Sequence, residues 1–335
     1  MFDFVGKRNF FYLLSLMVLI PGVISLLIPP ALRPGIEFSS GTTFTARFQN
    51  EVKEEQLRSE LASLGHGDAR VQRTGENKFL IRTEELSGSA EAPPTGPAPA
   101  GEREEIEAAF VEKFGSMIDA KGDVVDRFIE YASVSATVSR EIGQKSAFAV
   151  GAAAIAILLY ISWAFRSIPN PFRCGIAATI ATMHDVVLVM GAYSIFGKVF
   201  NMEVNTMFIT GLLTVIGFSV HDTIVVLDRI RENSQRYPDL PLHTCVNNSI
   251  LQTISRSINT STTVVLAVVA LLLMGGVTIR PFLVVMLVGT ITGTYSSIFV
   301  ASQILVTWDE GDVPRLFRRV FPKRKRAPAA SASEG

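Results

Sequence analysis

The sequence predicts a polytopic α-helical membrane protein with six transmembrane helices and one ferredoxin-like α+β domain set between helices 1 and 2. Three observations predict it. Six apolar runs, each long enough to cross a hydrocarbon core of about 30 Å, punctuate a chain of 335 residues that is 48% hydrophobic. One sizeable polar segment, residues 31–143, follows the first run. Basic residues gather in alternate connections, the pattern that orients spans across a bilayer. Lys+Arg and Asp+Glu are equal at 31 each, yet residues 33–141 carry 13 basic and 20 acidic side chains, whereas Arg315–Arg326 carries seven basic and no acidic ones. Two cysteines, Cys174 and Cys245, give neither a disulfide framework nor zinc-type spacing.

Residues 1–9 are a short N-terminal segment, and 10–30 form the first transmembrane helix around the apolar run Phe10–Pro29. Lys7 and Arg8 precede it as in a signal peptide, but the run exceeds an h-region and no small-x-small site follows. An uncleaved helix is expected. In the polar segment, Phe38–Phe48 reads as a strand, rich in Thr and Phe. Val52–Leu64 has helical spacing and stops at Gly65. Asp68–Thr74 and Lys78–Thr83 pair around Gly75-Glu76-Asn77, the Pro-rich stretch 87–101 is a loop, Arg103–Phe114 is helical, and Asp126–Val138 is a strand. The order β-α-β-β-α-β is that of a split βαβ unit.

Five more spans are expected near Ser146–Phe165, Cys174–Tyr193, Val204–Leu227, Ile250–Met274 and Phe282–Trp308, so that residues 144–308 hold helices 2–6. Arg166 and Arg173 lie in one connection; Arg229, Arg231 and Arg236 lie in another, expected as a loop over 228–249. The tail, 309–335, adds the basic run. Opposite loops hold only Lys198 and Arg280. Positive-inside counting therefore puts both termini in the cytoplasm and residues 31–143 outside. The same count explains the tail as an orientation signal, so no nucleic-acid partner is expected.

Polar residues cluster inside the spans. Asp222 follows His221 within Ile216–Asn233, and His184 and Asp185 sit midway along the third span. A carboxylate at mid-membrane costs about 2.5–3.5 kcal/mol on insertion scales and usually faces a bundle interior. Counted at 1.5 Å per residue from the outer helix ends, Asp222 and Arg256 come to similar depth, about 27 and 28 Å. An ion pair between them is the least costly way to hold both. Arginine keeps its proton, so only the carboxylate of such a pair titrates; Arg256 close by favours the charged form, and its withdrawal favours the protonated one. A helix movement could thus couple protonation to conformation. A fixed pair that only sets helix register fits the same residues. His221, Asp185 and His184 are weaker candidates for ion coupling. Asp228, Arg229, Arg231, Glu232 and Asn233 form a charged cytoplasmic motif, and Gly289 and Gly293, four apart, suit close helix packing.

Catalysis is not expected. The His/Asp pairs suggest a metal hydrolase, but HExxH and GxSxG are missing, and adjacent His and Asp project about 100° apart on a helix. No cofactor and no metal site are expected.

Several long motifs resemble the SecF family, a subunit of bacterial SecDF protein-export machinery within the resistance-nodulation-division superfamily. They are Gly217-Phe218-Ser219-Val220-His221-Asp222-Thr223-Ile224-Val225-Val226 running into Asp228-Arg229-Ile230-Arg231-Glu232-Asn233, then Ser255-Arg256-Ser257-Ile258-Asn259-Thr260-Ser261, and Gly293-Thr294-Tyr295-Ser296-Ser297-Ile298-Phe299. The resemblance implies a SecD partner, action beside the SecYEG channel with YajC and YidC as neighbours, an unfolded preprotein as passenger, and use of the proton-motive force. It places the polar domain in the periplasm of an inner-membrane protein. It also implies that Asp222 and Arg256 are the transport-linked carboxylate and arginine. Gly35-Ile36-Glu37-Phe38-Ser39-Ser40-Gly41 departs from the family's Gly-Ile-Asp-Phe-x-Gly-Gly. The alternative is half of a proton-driven small-molecule or lipid exporter of the same superfamily.

Overall fold

A computed structural model describes residues 2–86, 101–119, 122–164 and 171–310. The Pro-rich stretch, Arg166 and the basic tail lie outside these residues. Two compact units emerge: Leu32–Gly151 with Phe200–Ile209, and the remainder of the chain.

In the first unit a helical turn, α2 (Ile36–Ser39), precedes β1 (Gly41–Arg47), then α3 (Glu54–Ser63), β2 (Arg70–Gly75), β3 (Lys78–Thr83), α4 (Glu102–Phe114), a small hairpin of β4 (Met117–Ile118) and β5 (Val124–Val125), and β6 (Glu130–Val134). The first membrane helix, α1, is Arg8–Leu27. The main sheet has the order β2-β3-β1-β6 with every neighbour antiparallel. This is the connectivity of a split βαβ unit. Alternation along the strands sends Phe44, Ala46, Phe79 and Ile81 to one face, where Leu57 and Leu61 of α3 and Ile106, Phe110 and Phe114 of α4 cover them. Phe44 and Phe128 stack with centroids 4.1 Å apart. Asn77, with φ +49°, makes the β2–β3 turn.

Two expectations for this unit change. Residues 36–39 coil into a turn rather than extending β1, because the Glu37 carboxylate accepts from the Thr206 backbone N–H and hydroxyl at the start of the fourth span. The last strand ends at Val134 because Ser135 caps a helix, its carbonyl and hydroxyl accepting from the amides of Ser139 and Val138.

Among the described residues six helices are long and apolar enough to cross a membrane: α1, α5 (Ala136–Ala164), α6 (Pro171–Phe200), α7 (Thr206–Arg236), α8 (Leu242–Met274) and a last span from Arg280 to Asp309. That last span is α9 (Arg280–Ser296), a π-helical turn at Ser297–Ala301, and α10 (Ser302–Asp309). The expected loop over 228–249 shrinks to residues 237–241, because α7 runs on to Arg236 and α8 starts at Leu242. Charge pairs one turn apart, Arg231 with Asp228 and Arg229 with Glu232, keep that end of α7 helical.

Small residues set the contacts within the second unit. Gly22 of α1 meets Gly191 of α6, where an added Cβ on residue 191 would come 2.6 Å from the Gly22 Cα. Ser25 bonds Ser194 at 2.8 Å, and the Lys198 ammonium donates to the carbonyls of Ser25 and Ile28, which closes the end of α1. Gly289 and Gly293 of α9 lie against Val215 and Ser219 of α7.

Candidate intramembrane polar site

Asp222 of α7 is 3% exposed. Its Oδ2 lies 3.5 Å from the Ser261 hydroxyl of α8 and 3.4 Å from the Thr294 hydroxyl of α9, the outer edge of hydrogen-bond range. Those two hydroxyls bond each other at 2.5 Å. Next to them, the buried hydroxyls of Ser257 and Thr290 have no hydrogen-bond partner among the described residues. Each sits one helical turn, four residues, from Ser261 or Thr294.

Arg256 does not reach Asp222. The expected ion pair is absent from this structure, and the residue level with Asp222 on α8 is Ser261, five positions further along and about 7.5 Å away in axial rise. Depth counted from separate helix ends misses this, because packing sets the stagger of α7 on α8. The Arg256 side chain instead lines an open groove of about 290 Å³ with Val225, Asp228, Arg229, Glu232, Gln252 and Thr253. It makes no ion pair among the described residues. His221 points outward, away from the bundle.

The charged motif bolts α7 to α8. Asn233, 5% exposed, donates to the Ser249 hydroxyl at 2.8 Å and to Gln252 Oε1 at 2.9 Å. Arg229 donates to the same Gln252 oxygen at 2.6 Å.

A second carboxylate is more enclosed still. Asp185, midway along α6, is 1% exposed. Its Oδ2 accepts from the hydroxyls of Ser219 on α7, at 2.5 Å, and Ser296 on α9, at 2.6 Å. Its Oδ1 lies 3.0 Å from His184 Nδ1, and His184 Nε2 lies 2.5 Å from the Ser15 hydroxyl of α1. Ser297 bonds Thr223 at 2.8 Å and the Ser219 carbonyl at 3.2 Å. A polar seam therefore runs between α6, α7, α8 and α9 around two carboxylates. The sequence marks both acids and His184 as site residues but none of their serine and threonine partners. Their signal was present: Thr290, Thr294 and Ser297 recur at helical spacing along one face of the last span. Among the described residues no three His, Cys, Asp or Glu side chains converge as a metal set.

Comparisons with known proteins agree on a family. Residues 116–311 match the family described as protein export membrane protein SecD/SecF, C-terminal. The chain is 43% identical over 323 residues to the protein translocase subunit SecF of Thermobaculum terrenum, covering 96% of this chain and 99% of that one. It is 33% identical over 309 residues to protein translocase subunit SecDF of Bacillus subtilis, covering 91% of this chain and 38% of that one. The crystal structure of SecDF, a translocon-associated membrane protein from Thermus thermophilus, superposes with a TM-score of 0.76 at 30% identity over 92% of this chain and 39% of that chain. The chain thus spans nearly all of a SecF relative and about two fifths of each SecDF chain.

Proposed function

The chain belongs to the SecD/SecF family of protein-export membrane proteins, and from that premise we propose that it is the ion-coupling half of a proton-driven translocation device. It is a multi-pass protein-translocation subunit, and the fused SecDF relatives support a SecD-type partner. In this reading the complex draws an unfolded preprotein from the SecYEG channel and releases it into the periplasm, with YajC and YidC nearby. Both termini are cytoplasmic, and the ferredoxin-like domain is periplasmic.

One observation carries the reading: Asp222 sits buried just behind an outward face that is polar where lipid would demand the opposite. On α7 that face presents Thr214, Gly217 and His221; on α8 it presents Arg256, Asn259 and Thr263. Polar side chains at membrane depth are costly unless a bundle or a wet path receives them. A SecD-type half packed here covers them and makes Arg256 an interior residue. Asp222 then has hydroxyls but no arginine or lysine in this arrangement, while a shift of α8 by about a turn and a half brings Arg256 level with it. Contact with Arg256 favours the ionised carboxylate, and separation favours the proton-bound one. A membrane potential supplies about 2.3 kcal/mol per charge per 100 mV, enough to bias such a shift.

Asp222→Asn and Arg256→Met, each assembled with the SecD-type partner in proteoliposomes, are expected to lose proton-driven stimulation of preprotein export while keeping the complex intact. Full stimulation in both variants rejects the coupling role.

A further inference from the structure

Asp185 plays no part in the pair just described, yet its site is built more completely than that of Asp222. A lone buried ion costs several kcal/mol even after relaxation, and this one is not alone. On its own helix the ionisable group that meets it is His184, 3.0 Å away. The groups meeting Asp185 from elsewhere are the Ser219 hydroxyl of α7 and the Ser296 hydroxyl of α9, while Ser15 of α1 meets the far side of the imidazole. Asp222 is the next ionisable group along α7 on the bundle side, with His221 turned outward.

Each polar neighbour can satisfy the site in more than one protonation state. With His184 charged and Asp185 ionised, Nδ1–H donates to Oδ1, both serine hydroxyls donate to Oδ2, and Ser15 accepts from Nε2–H. With one proton more, the carboxyl O–H on Oδ2 donates to the Ser296 oxygen, whose own hydroxyl turns to the Gly293 carbonyl, already 3.2 Å away, while Ser219 still donates to Oδ2. With one proton fewer on the imidazole, Ser15 rotates to donate to Nε2. Hydroxyls suit this task because they donate and accept equally well. No state leaves a buried polar atom without a partner, which is the condition for occupying it.

We propose that His184 and Asp185 hold a second exchangeable proton of the bundle, separate from that of Asp222, and transmit its state through Ser219 and Ser296. Uptake takes one proton from the aqueous phase and adds one positive charge to the dyad; release returns both. Ser219 lies three residues before Asp222 on α7, about 4.5 Å along the axis. Ser296 immediately precedes the π-helical turn at Ser297–Ala301, a local geometry frequent at functional sites. A change at Asp185 therefore acts on the two helices that also frame Asp222. The purpose of the dyad rests on the proton-driven reading above; its existence does not.

The test is pH-difference infrared spectroscopy on the full chain assembled with its SecD-type partner in lipid. A carboxylic-acid C=O band that titrates is expected to persist in Asp222→Asn, to vanish in Asp185→Asn, and to change frequency in Ser219→Ala, where the carboxyl loses one hydroxyl contact. Should Asp185→Asn fail to assemble, the Ser219→Ala shift measured in the Asp222→Asn background decides. A band spectrum unchanged by Asp185→Asn, or one insensitive to Ser219→Ala in that background, overturns the proposal. Loss of export stimulation without any Asp185 band retains the Asp222 relay and rejects the dyad. An Asp185 band with normal export in Asp222→Asn does the reverse.

Discussion

Helices α5 and α8 are both poorly covered by the rest of the chain, with 6% and 17% of their apolar windows buried against 56% for α6. Their open faces differ in kind. On α5, Ile155, Leu159, Tyr160 and Trp163 look outward. The middle of α8 instead turns Arg256, Asn259 and Thr263 outward around a single exposed Ile258, and its last turns show Leu266, Leu271 and Leu273. Lipid is adequate solvent for the α5 set and a poor one for the α8 set. Poor coverage thus has two meanings under the proposed function, separated by side-chain chemistry: one surface meets lipid and the other awaits protein. A third class of face, closed by glycine, completes the comparison.

That closed class gives the largest expected effect. At Gly191 the obstacle to a side chain is backbone, the Gly22 Cα, rather than a movable side-chain tip. Gly191→Ala must push α1 off α6 and disturb Ser25–Ser194 and the Lys198 contacts with it. We expect a loss at the upper end of the about 1–3 kcal/mol typical of overpacking, read as a lowered unfolding temperature of the full chain in detergent. Unchanged thermal stability would show that the α1–α6 contact is looser than its geometry. Gly217, which faces open space on the outward side of α7, is the matched control.

The open polar face of α8 comes next. Asn259→Leu removes an outward amide that makes no side-chain bond among the described residues, so the folded subunit alone should tolerate it. Its partner should not. Co-purification with the SecD-type half is expected to weaken about tenfold, equivalent to about 1.4 kcal/mol. If the variant binds its partner as tightly as the parent, this face is not the interface and the covering of Arg256 must be sought elsewhere.

Much of this layout was legible in the sequence. Six apolar runs of sufficient length gave the spans, and alternation of Phe44, Ala46 and Phe48 against the spacing of Leu57 and Leu61 gave the sheet and its covering helices. Helix ends were harder to read. The charged residues from Asp228 to Arg236 looked like a loop because they are polar, yet their spacing supports a helix beyond the apolar run. Partners of the buried acids were harder still. Serine and threonine are nearly neutral on hydropathy scales, so Ser219, Ser296 and Thr294 do not stand out as Asp185 and Asp222 do. Stagger between α7 and α8 is fixed by contacts such as Asn233–Ser249, which join residues 16 apart in sequence. No count from a helix end contains that information, and the Asp222–Arg256 pairing failed on this point alone.

The smallest expected effect tests the lipid side of the comparison. Leu159 is 64% exposed on α5, flanked by other apolar residues. Leu159→Ala trades one apolar contact with lipid for a smaller one, opens no cavity, and strands no polar group. It should change stability by less than about 0.5 kcal/mol, as for surface positions generally, and leave partner binding untouched. Measured beside Asn259→Leu in the same co-purification assay, it separates two explanations of any loss. A defect confined to Asn259→Leu means that polar outward residues mark the protein interface. A defect of equal size in Leu159→Ala means that the partner wraps α5 as well, and polarity then ceases to distinguish the face that meets protein from the face that meets lipid.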